Sequence, residues 1–479
     1  MLVTLLSALE IARRAGGRVV GDDGVIVDAW AFDSRVLGDG ACFVALRGAR
    51  DGHDFVASAF DAGARVALVD DDFAGGSQPP PGRALVHVGN TLGALQEVAR
   101  SLRLDRPELH VVAVAGSTGK TSTKDLLAAA LASRGCHANA ESYNNEFGLP
   151  ITLCNAPGSA RVVVTEMGER FAGDLTALCE IARPDTGLVT NVGLAHAEHL
   201  GGRDGVIAVL AELLEALPGT GTAVLNADDP ATPQLAALTP LATVVTVGES
   251  EGADYRMSNV SIDDRLRPSF ELRGRRFTVP LHGSHHALNA AMAVAVAHRV
   301  FSLPLEEIAL ELAHAAPGRW RMELLETDSG VTVLNDSYNA NPTSMEAALV
   351  ALARLEVASG GRRFAVLGDM RELGPHHDGA HREVGERTAV LALDVVVGVG
   401  AGGVAIAQAA RSGGVETHVV ADAAEAFRLV APMLRTGDAV LVKGSRALGL
   451  ERVADGLLAS AREETGRASR HECSGGDRP

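Results

Sequence analysis

Val111-Val-Ala-Val-Ala-Gly-Ser-Thr-Gly-Lys-Thr-Ser-Thr-Lys124 decides how the rest of this chain is read. Small apolar residues, with β-branched valine alternating with alanine, predict a buried parallel strand over Val111 to Ala115. Gly116-Ser117-Thr118-Gly119 then forms a turn, and Lys120, Thr121 and Ser122 open a helical run to about Ser133. Strand, glycine turn, Lys-Thr and helix together describe a phosphate cradle. Glycines let backbone N–H groups approach phosphate oxygens, and a helix N-terminus adds positive potential. The lysine reaches the outer phosphates, and the Thr121 hydroxyl suits Mg²⁺. The general pattern G-x-x-x-x-G-K-[ST] requires glycine where this chain has Val114, so the loop is the shorter G-x-x-G-K-T. The alternative is a chance Gly-Lys-Thr in a glycine-rich chain; the strand before it and the helix after it argue against chance.

Outward from this stretch, 479 residues are too many for one ordinary core. At roughly 150 residues per domain, three are expected. Apolar residues make up 47% and aromatics only 4%, so Ala, Val and Leu do the packing. A net charge of -17 argues against nucleic acid or an anionic membrane surface as the main partner, while leaving room for local arginines to hold a small anion. Five scattered cysteines without a CxxC fit a reducing, cytoplasmic setting. Thr4 to Arg14 reads as a capped amphipathic helix and not as a leader, and no apolar run is long enough for a membrane span. Lysine stands only at 120, 124 and 443, which draws attention to each.

The residues divide as 1–107, 108–316 and 317–462, with a small polar tail at 463–479 that is expected to be disordered. The first part carries Asp33-Ser34-Arg35, a strand from Cys42 to Leu46, and Asp51-Gly-His53. These make a small anion-binding module plausible, although Asp33-Ser-Arg35 also suits a plain turn. The middle part alternates strand and helix, with strands near Arg161 to Thr165, Gly187 to Val192, Ala223 to Asn226 and Thr243 to Val247. An antiparallel extension follows over Asp254 to Pro280. Chemistry belongs beyond the carboxyl ends of such strands. Glu166 ends the second, Asn191 the third, and His196 follows. With Thr121, a carboxylate and an imidazole there make a divalent-metal set; a satisfied loop histidine is the alternative for His196. Asn144 and Asn145 suit a substrate loop or an Asx-turn. Asn289 is polar on an alanine-rich helix and needs a partner. The last part alternates again, with polar strand ends at Asn335 to Pro342, Gly368 to Gly374 and Lys443 to Arg446, and no G-x-G-x-x-G opens its first crossover, so it does not read as a dinucleotide domain.

These motifs resemble those of the Mur ligase family over nearly the whole chain, most of all the branch that adds D-alanyl-D-alanine. G-x-x-G-K-T without the first glycine, Tyr338-Asn-Ala-Asn-Pro342, Gly368-Asp-Met-Arg-Glu-Leu-Gly374 and Asn144-Asn145 carry the likeness. The resemblance implies an α/β chain of three domains: a small UDP-binding one, a P-loop parallel-sheet ATPase, and a Rossmann-like C-terminal one. It implies ATP and Mg²⁺, with UDP-N-acetylmuramoyl-tripeptide and D-alanyl-D-alanine as substrates joined through an acyl phosphate. The chain is expected to be a monomer, without nucleic acid or membrane insertion. Gly116, Ser117, Thr118, Gly119, Lys120, Thr121, Ser122, Asn289, Arg319, Asp336 and Asn339 would meet the nucleotide. Thr121, Glu166 and His196 would bind Mg²⁺. Ser34, Arg35, Asn144, Asn145, Tyr338, Asn341, Ser445 and Arg446 would face the substrates. Lys120, Glu166, His196, Arg319 and Lys443 would carry the chemistry.

Two positions depart from the family. Leu210 stands where the resemblance implies a carbamoylated lysine for a second Mg²⁺, and no lysine lies between Lys124 and Lys443. His286 stands where asparagine is usual. Two rival readings follow. One is a same-fold folylpolyglutamate or cyanophycin synthetase, which the N-terminal module and Tyr338 to Pro342 oppose. The other is a non-catalytic or altered-activity Mur-like paralogue, supported by Leu210.

Overall fold

The computed structural model describes residues 4–73, 78–139, 142–193, 197–239 and 241–459. His196 and the tail from 463 lie outside them. Three mainly parallel sheets follow one another along the chain.

The first sheet orders its strands Arg18–Gly21, Ala84–Val88, Val66–Asp70, Ala41–Val44 and Ala29–Ala31, and only the first pairing is antiparallel. Ala8–Ala15 packs on one face. That helix starts later than Thr4, because Ser7 caps it and Glu10 closes a capping box by accepting from the Ser7 N–H. The acidic residue inside the apolar run is thus a helix start signal. Helix Thr91–Leu104 joins the first sheet to the second, and one apolar cluster runs unbroken from Leu6 through Leu102 into Leu149 and Leu235. Asn155 clasps the Trp30 backbone from both sides, at 2.9 Å each.

The second sheet has nine strands. From the edge they are Arg275–Thr278, Pro268–Leu272, Tyr255–Ile262, Thr243–Gly248, Thr222–Asn226, Thr186–Val189, His110–Ala115, Val162–Glu166 and Cys136–Ala138. Val and Ala dominate the inner strands because helices cover both faces. Tyr255–Ile262 joins in parallel, and antiparallel pairing begins only beyond it. The strand expected to reach Val192 stops at Val189, so Asn191 lies in the loop after it. There its backbone and side chain turn to the phosphate loop instead of continuing a ladder. The helix after the loop, Lys120–Ala130, tightens to a 3₁₀ turn at Ala132–Arg134 before reaching Gly135. His110–Ala115 lies between Val162–Glu166 on one side and Thr186–Val189 on the other, and the chain builds the sheet outward on both sides of it, so the glycine loop sits at a switch point of the sheet.

The third sheet runs Glu323–Glu326, Thr332–Asp336, Ala439–Lys443, Arg363–Gly368, Val395–Val399 and Glu416–Val420. Its antiparallel edge strand, Glu323–Glu326, was not evident in the sequence. Placing the last core strand between the first two brings the loops after Asp336, Gly368 and Lys443 side by side.

Candidate functional site

Those loops and the glycine loop line one cleft of about 1360 Å³ between the second and third sheets. Its phosphate-loop wall is built by two requirements on glycine. Gly116 has φ +126°, and a Cβ there would lie 2.2 Å from Thr190 Oγ1. Gly119 has φ +79°, and a Cβ would lie 2.9 Å from Asn289 Oδ1. Asn289, expected to need a partner on an alanine-rich helix, therefore packs against the loop. Asn191 buttresses the loop from below. Thr118 N and Oγ1 donate to Asn191 Oδ1 at 3.1 and 3.0 Å, and Asn191 Nδ2 donates back to Thr118 O at 3.0 Å. Thr190 Oγ1 adds a bond to the same carbonyl. Gly193 N donates to Ser117 Oγ at 2.8 Å.

Glu166, 2% exposed at its strand end, accepts from Thr121 Oγ1 at 2.6 Å and from Asn144 Nδ2 at 2.8 Å, and its N–H donates to Asn139 Oδ1. A hydroxyl and a carboxylate converging at the foot of the phosphate loop are hard oxygen donors that fit Mg²⁺. Among the described residues no three His, Cys, Asp or Glu side chains cluster around such a point. Lys120 donates to Gly116 O and lies 3.2 Å from Glu169 Oε1. Glu169 is buried; desolvation pushes its carboxyl up to about 7 against the pull of Lys120.

From the third sheet, Asp336 accepts from Met322 N at 3.1 Å and from Lys443, whose ammonium also reaches Asn339 O at 2.9 Å. Ser445 accepts from Arg371 N. Tyr338 lies under Arg321, whose guanidinium carbon is 3.9 Å from the ring centroid, and Arg321 donates to Ser142 Oγ across the cleft at 3.0 Å. Burial holds the neighbouring His285 imidazole down to about 4, so it is neutral at pH 7. Arg170 pairs with Glu372 across the same gap.

The cleft thus gathers Ser117 to Ser122, Asn144, Asn145, Glu166, Asn289, Asp336, Tyr338, Asn339, Asn341, Lys443, Ser445 and Arg446. Some of them already have work to do in the fold. Asn145 Oδ1 accepts from Gly148 N, the Asx-type use weighed for it, and Asn341 caps helix Pro342–Arg354. Arg319 is exposed and is not among the lining residues; its guanidinium lies over Trp320, and Arg321 faces the cleft instead. Trp320 and Met322 are left-handed, at φ 60° and 52°, and these turns change which arginine faces inward. Ser34 and Arg35 also stand apart from the cleft, and Arg35 is paired with Asp33 at 2.6 Å. His53 spends both ring nitrogens inside the first unit: Nδ1 on Asp51 and Nε2 as acceptor for Asp70 N. Leu210 is fully buried in the apolar core and does not line the cleft. Glu169, Arg321, Ser142 and His285 were missed. Only Glu169 left a signal, a second carboxylate three residues beyond Glu166 in the same strand-end loop.

This geometry has counterparts. Residues 114–297 match the Mur ligase middle domain, and residues 320–446 match the Mur ligase, glutamate ligase domain. The chain belongs to the Mur ligase family. A UDP-N-acetylmuramoyl-tripeptide--D-alanyl-D-alanine ligase from Mycobacterium bovis is 39% identical over 89% of this Mur ligase and 91% of its own length. One of the same name from Bacillus subtilis is 33% identical over 91% and 94%. Among solved structures, MurF from Acinetobacter baumannii superposes with a TM-score of 0.82 at 26% identity, over 96% of this Mur ligase and all of that chain. The MurF ligase from Thermotoga maritima in complex with ADP gives 0.74 at 28% identity, over 91% and 98%. Among the described residues of this Mur ligase, no helix is long and apolar enough to cross a membrane.

Proposed function

We infer that this Mur ligase joins D-alanyl-D-alanine to UDP-N-acetylmuramoyl-tripeptide at the expense of ATP. The observation that carries this reading is a single cleft lined both by the Lys120 phosphate loop and by the Asp336 and Lys443 loops of the third sheet. The relatives' shared activity supplies the substrates. A carboxylate is a poor electrophile. Its oxygen attacks the γ-phosphorus of ATP, ADP leaves, and an acyl phosphate forms. The dipeptide's free amine then attacks the acyl carbon, phosphate leaves with the bonding pair, and the amine proton is lost.

The residues divide this work. The loop amides and Lys120 hold the phosphates while two anions are brought together. Thr121 and Glu166, with His196 outside the described residues, would hold Mg²⁺, which neutralises phosphate charge. Asn144 holds one Glu166 oxygen, which orients the carboxylate so that the other faces the Thr121 hydroxyl. Asn289, Asp336 and Asn339 are proposed to meet the nucleotide, with Arg319 reaching it only after a rotation of the third unit. Ser445 and Arg446 would face the dipeptide, and Lys443 orients Asp336. Ser34 and Arg35 would bind the uridine diphosphate end. Bringing the third sheet over the cleft excludes water, which would otherwise hydrolyse the acyl phosphate. Both substrates are water-soluble small molecules, which supports a cytoplasmic enzyme, and we propose that it acts as a monomer.

Phosphate release from ATP is the test, measured with the tripeptide nucleotide in the presence and absence of D-alanyl-D-alanine. Dipeptide-dependent release is expected. Its absence, in folded protein that binds ATP, overturns the reading in favour of a paralogue that binds without catalysis.

A further inference from the structure

Glu169 is absorbed by none of the roles above. Its side chain is 2% exposed, yet the residue lines the cleft. Oε1 faces the Lys120 ammonium at 3.2 Å, and among the described residues no donor meets Oε2. A buried carboxylate is tolerated only when it is paired, so half of this one rests on a single lysine. That lysine belongs to the phosphate loop. When a triphosphate lies on the loop, the ammonium turns toward phosphate oxygens. Glu169 then loses its partner at the moment a polyanion arrives beside it. A proton or a cation must then take the place of Lys120, and a cation that enters with the nucleotide would also meet the phosphates.

The surroundings favour a divalent cation. Lys120 and Thr121 are neighbours on the first helical turn, and Glu169 and Glu166 face them from one strand-end loop. Thr121 Oγ1 and Glu166 supply hard oxygens, and Glu169 Oε2 is a further one, buried and unpartnered among the described residues, on a residue that lines the same cleft. We propose that Glu169 is a cation ligand: it takes up a divalent ion that arrives with the nucleotide, and Lys120 occupies that place while the cleft is empty. The proposal rests on ATP being the cosubstrate.

Mn²⁺ is the probe, counted by its electron paramagnetic resonance signal in the full chain with a non-hydrolysable ATP analogue. Glu169→Gln should weaken Mn²⁺ binding in the presence of the analogue at least tenfold, and Glu169→Asp, which keeps the carboxylate, should recover most of it. Metal-free analogue should bind Glu169→Gln as tightly as wild type or tighter, because Lys120 no longer has to leave a counter-charge. Unchanged Mn²⁺ binding in Glu169→Gln overturns the proposal and leaves Glu169 as a counter-ion to Lys120 alone. Loss in Glu169→Asp as great as in Glu169→Gln also overturns it. If wild type binds no analogue with or without Mn²⁺, it is the ATP reading that has failed, and the proposal falls with it.

Discussion

Asn191 holds the phosphate loop in its binding shape from outside the loop's own sequence, and Asn191→Ala measures what that is worth. Three hydrogen bonds join its amide to Thr118, two into Oδ1 and one from Nδ2. At about 1 kcal/mol net for each bond, and with two sharing an acceptor, the loop loses about 2–3 kcal/mol of pre-organisation. The nucleotide must then order the loop on binding, so its affinity should fall roughly 30- to 150-fold. Thr190 Oγ1 still bonds Thr118 O, which sets the lower end of that range. Titration with a fluorescent ATP analogue reads the effect directly, and a thermal melt checks that the fold survives. Asn191→Asp separates the bonds. It keeps the acceptor for Thr118 N and Oγ1, loses the donor to Thr118 O, and brings a negative charge beneath the phosphates, so it should bind nucleotide more weakly than alanine does. Wild-type affinity in Asn191→Ala would refute the reasoning, because the clamp would then contribute nothing to the binding shape of the loop.

Gly119→Ala places a methyl 2.9 Å from Asn289 Oδ1 at a left-handed φ, and should lower ATP affinity at least tenfold in the same titration, with the melt little changed. Glu169 carries a pH dependence. Burial raises its folded value from 4.5 to about 7, so the ionised carboxyl costs stability: the cost is full above pH 7, shrinks as pH falls, and is gone below about 4.5. Without nucleotide or metal, Glu169→Gln should therefore melt higher than wild type at pH 8, by an amount reflecting at most about 3 kcal/mol, and most of the gap should be gone by pH 5; equal shifts at both pH values would count against it. Leu210→Lys buries an ammonium in an apolar core and should cost about 2–4 kcal/mol, read as a lower melting temperature, with no gain in phosphate release.

Much of this protein is local and was legible in the chain. Val111 to Lys124 carries its own strand, turn and helix, because glycine φ, apolar alternation and helix N-terminal chemistry act over a few residues. The same holds for strands such as Val395–Val399 and for the polar loops after Asp336 and Lys443. Strand Ala84–Val88 and the edge strand Glu323–Glu326 escaped because their short runs look like many loops until a neighbour pairs with them.

Tertiary structure decided which side chains face one another. Glu169 on Lys120, Asn144 on Glu166, Asn191 on Thr118 and Arg321 on Ser142 join residues 22 to 179 positions apart. No periodicity encodes such pairs; they exist because strand order brings loops together and burial then demands a partner for each polar atom. The exchange of Arg319 for Arg321 at the cleft has the same origin. Two left-handed residues turn the chain there, and only the packed fold selects the arginine that faces inward.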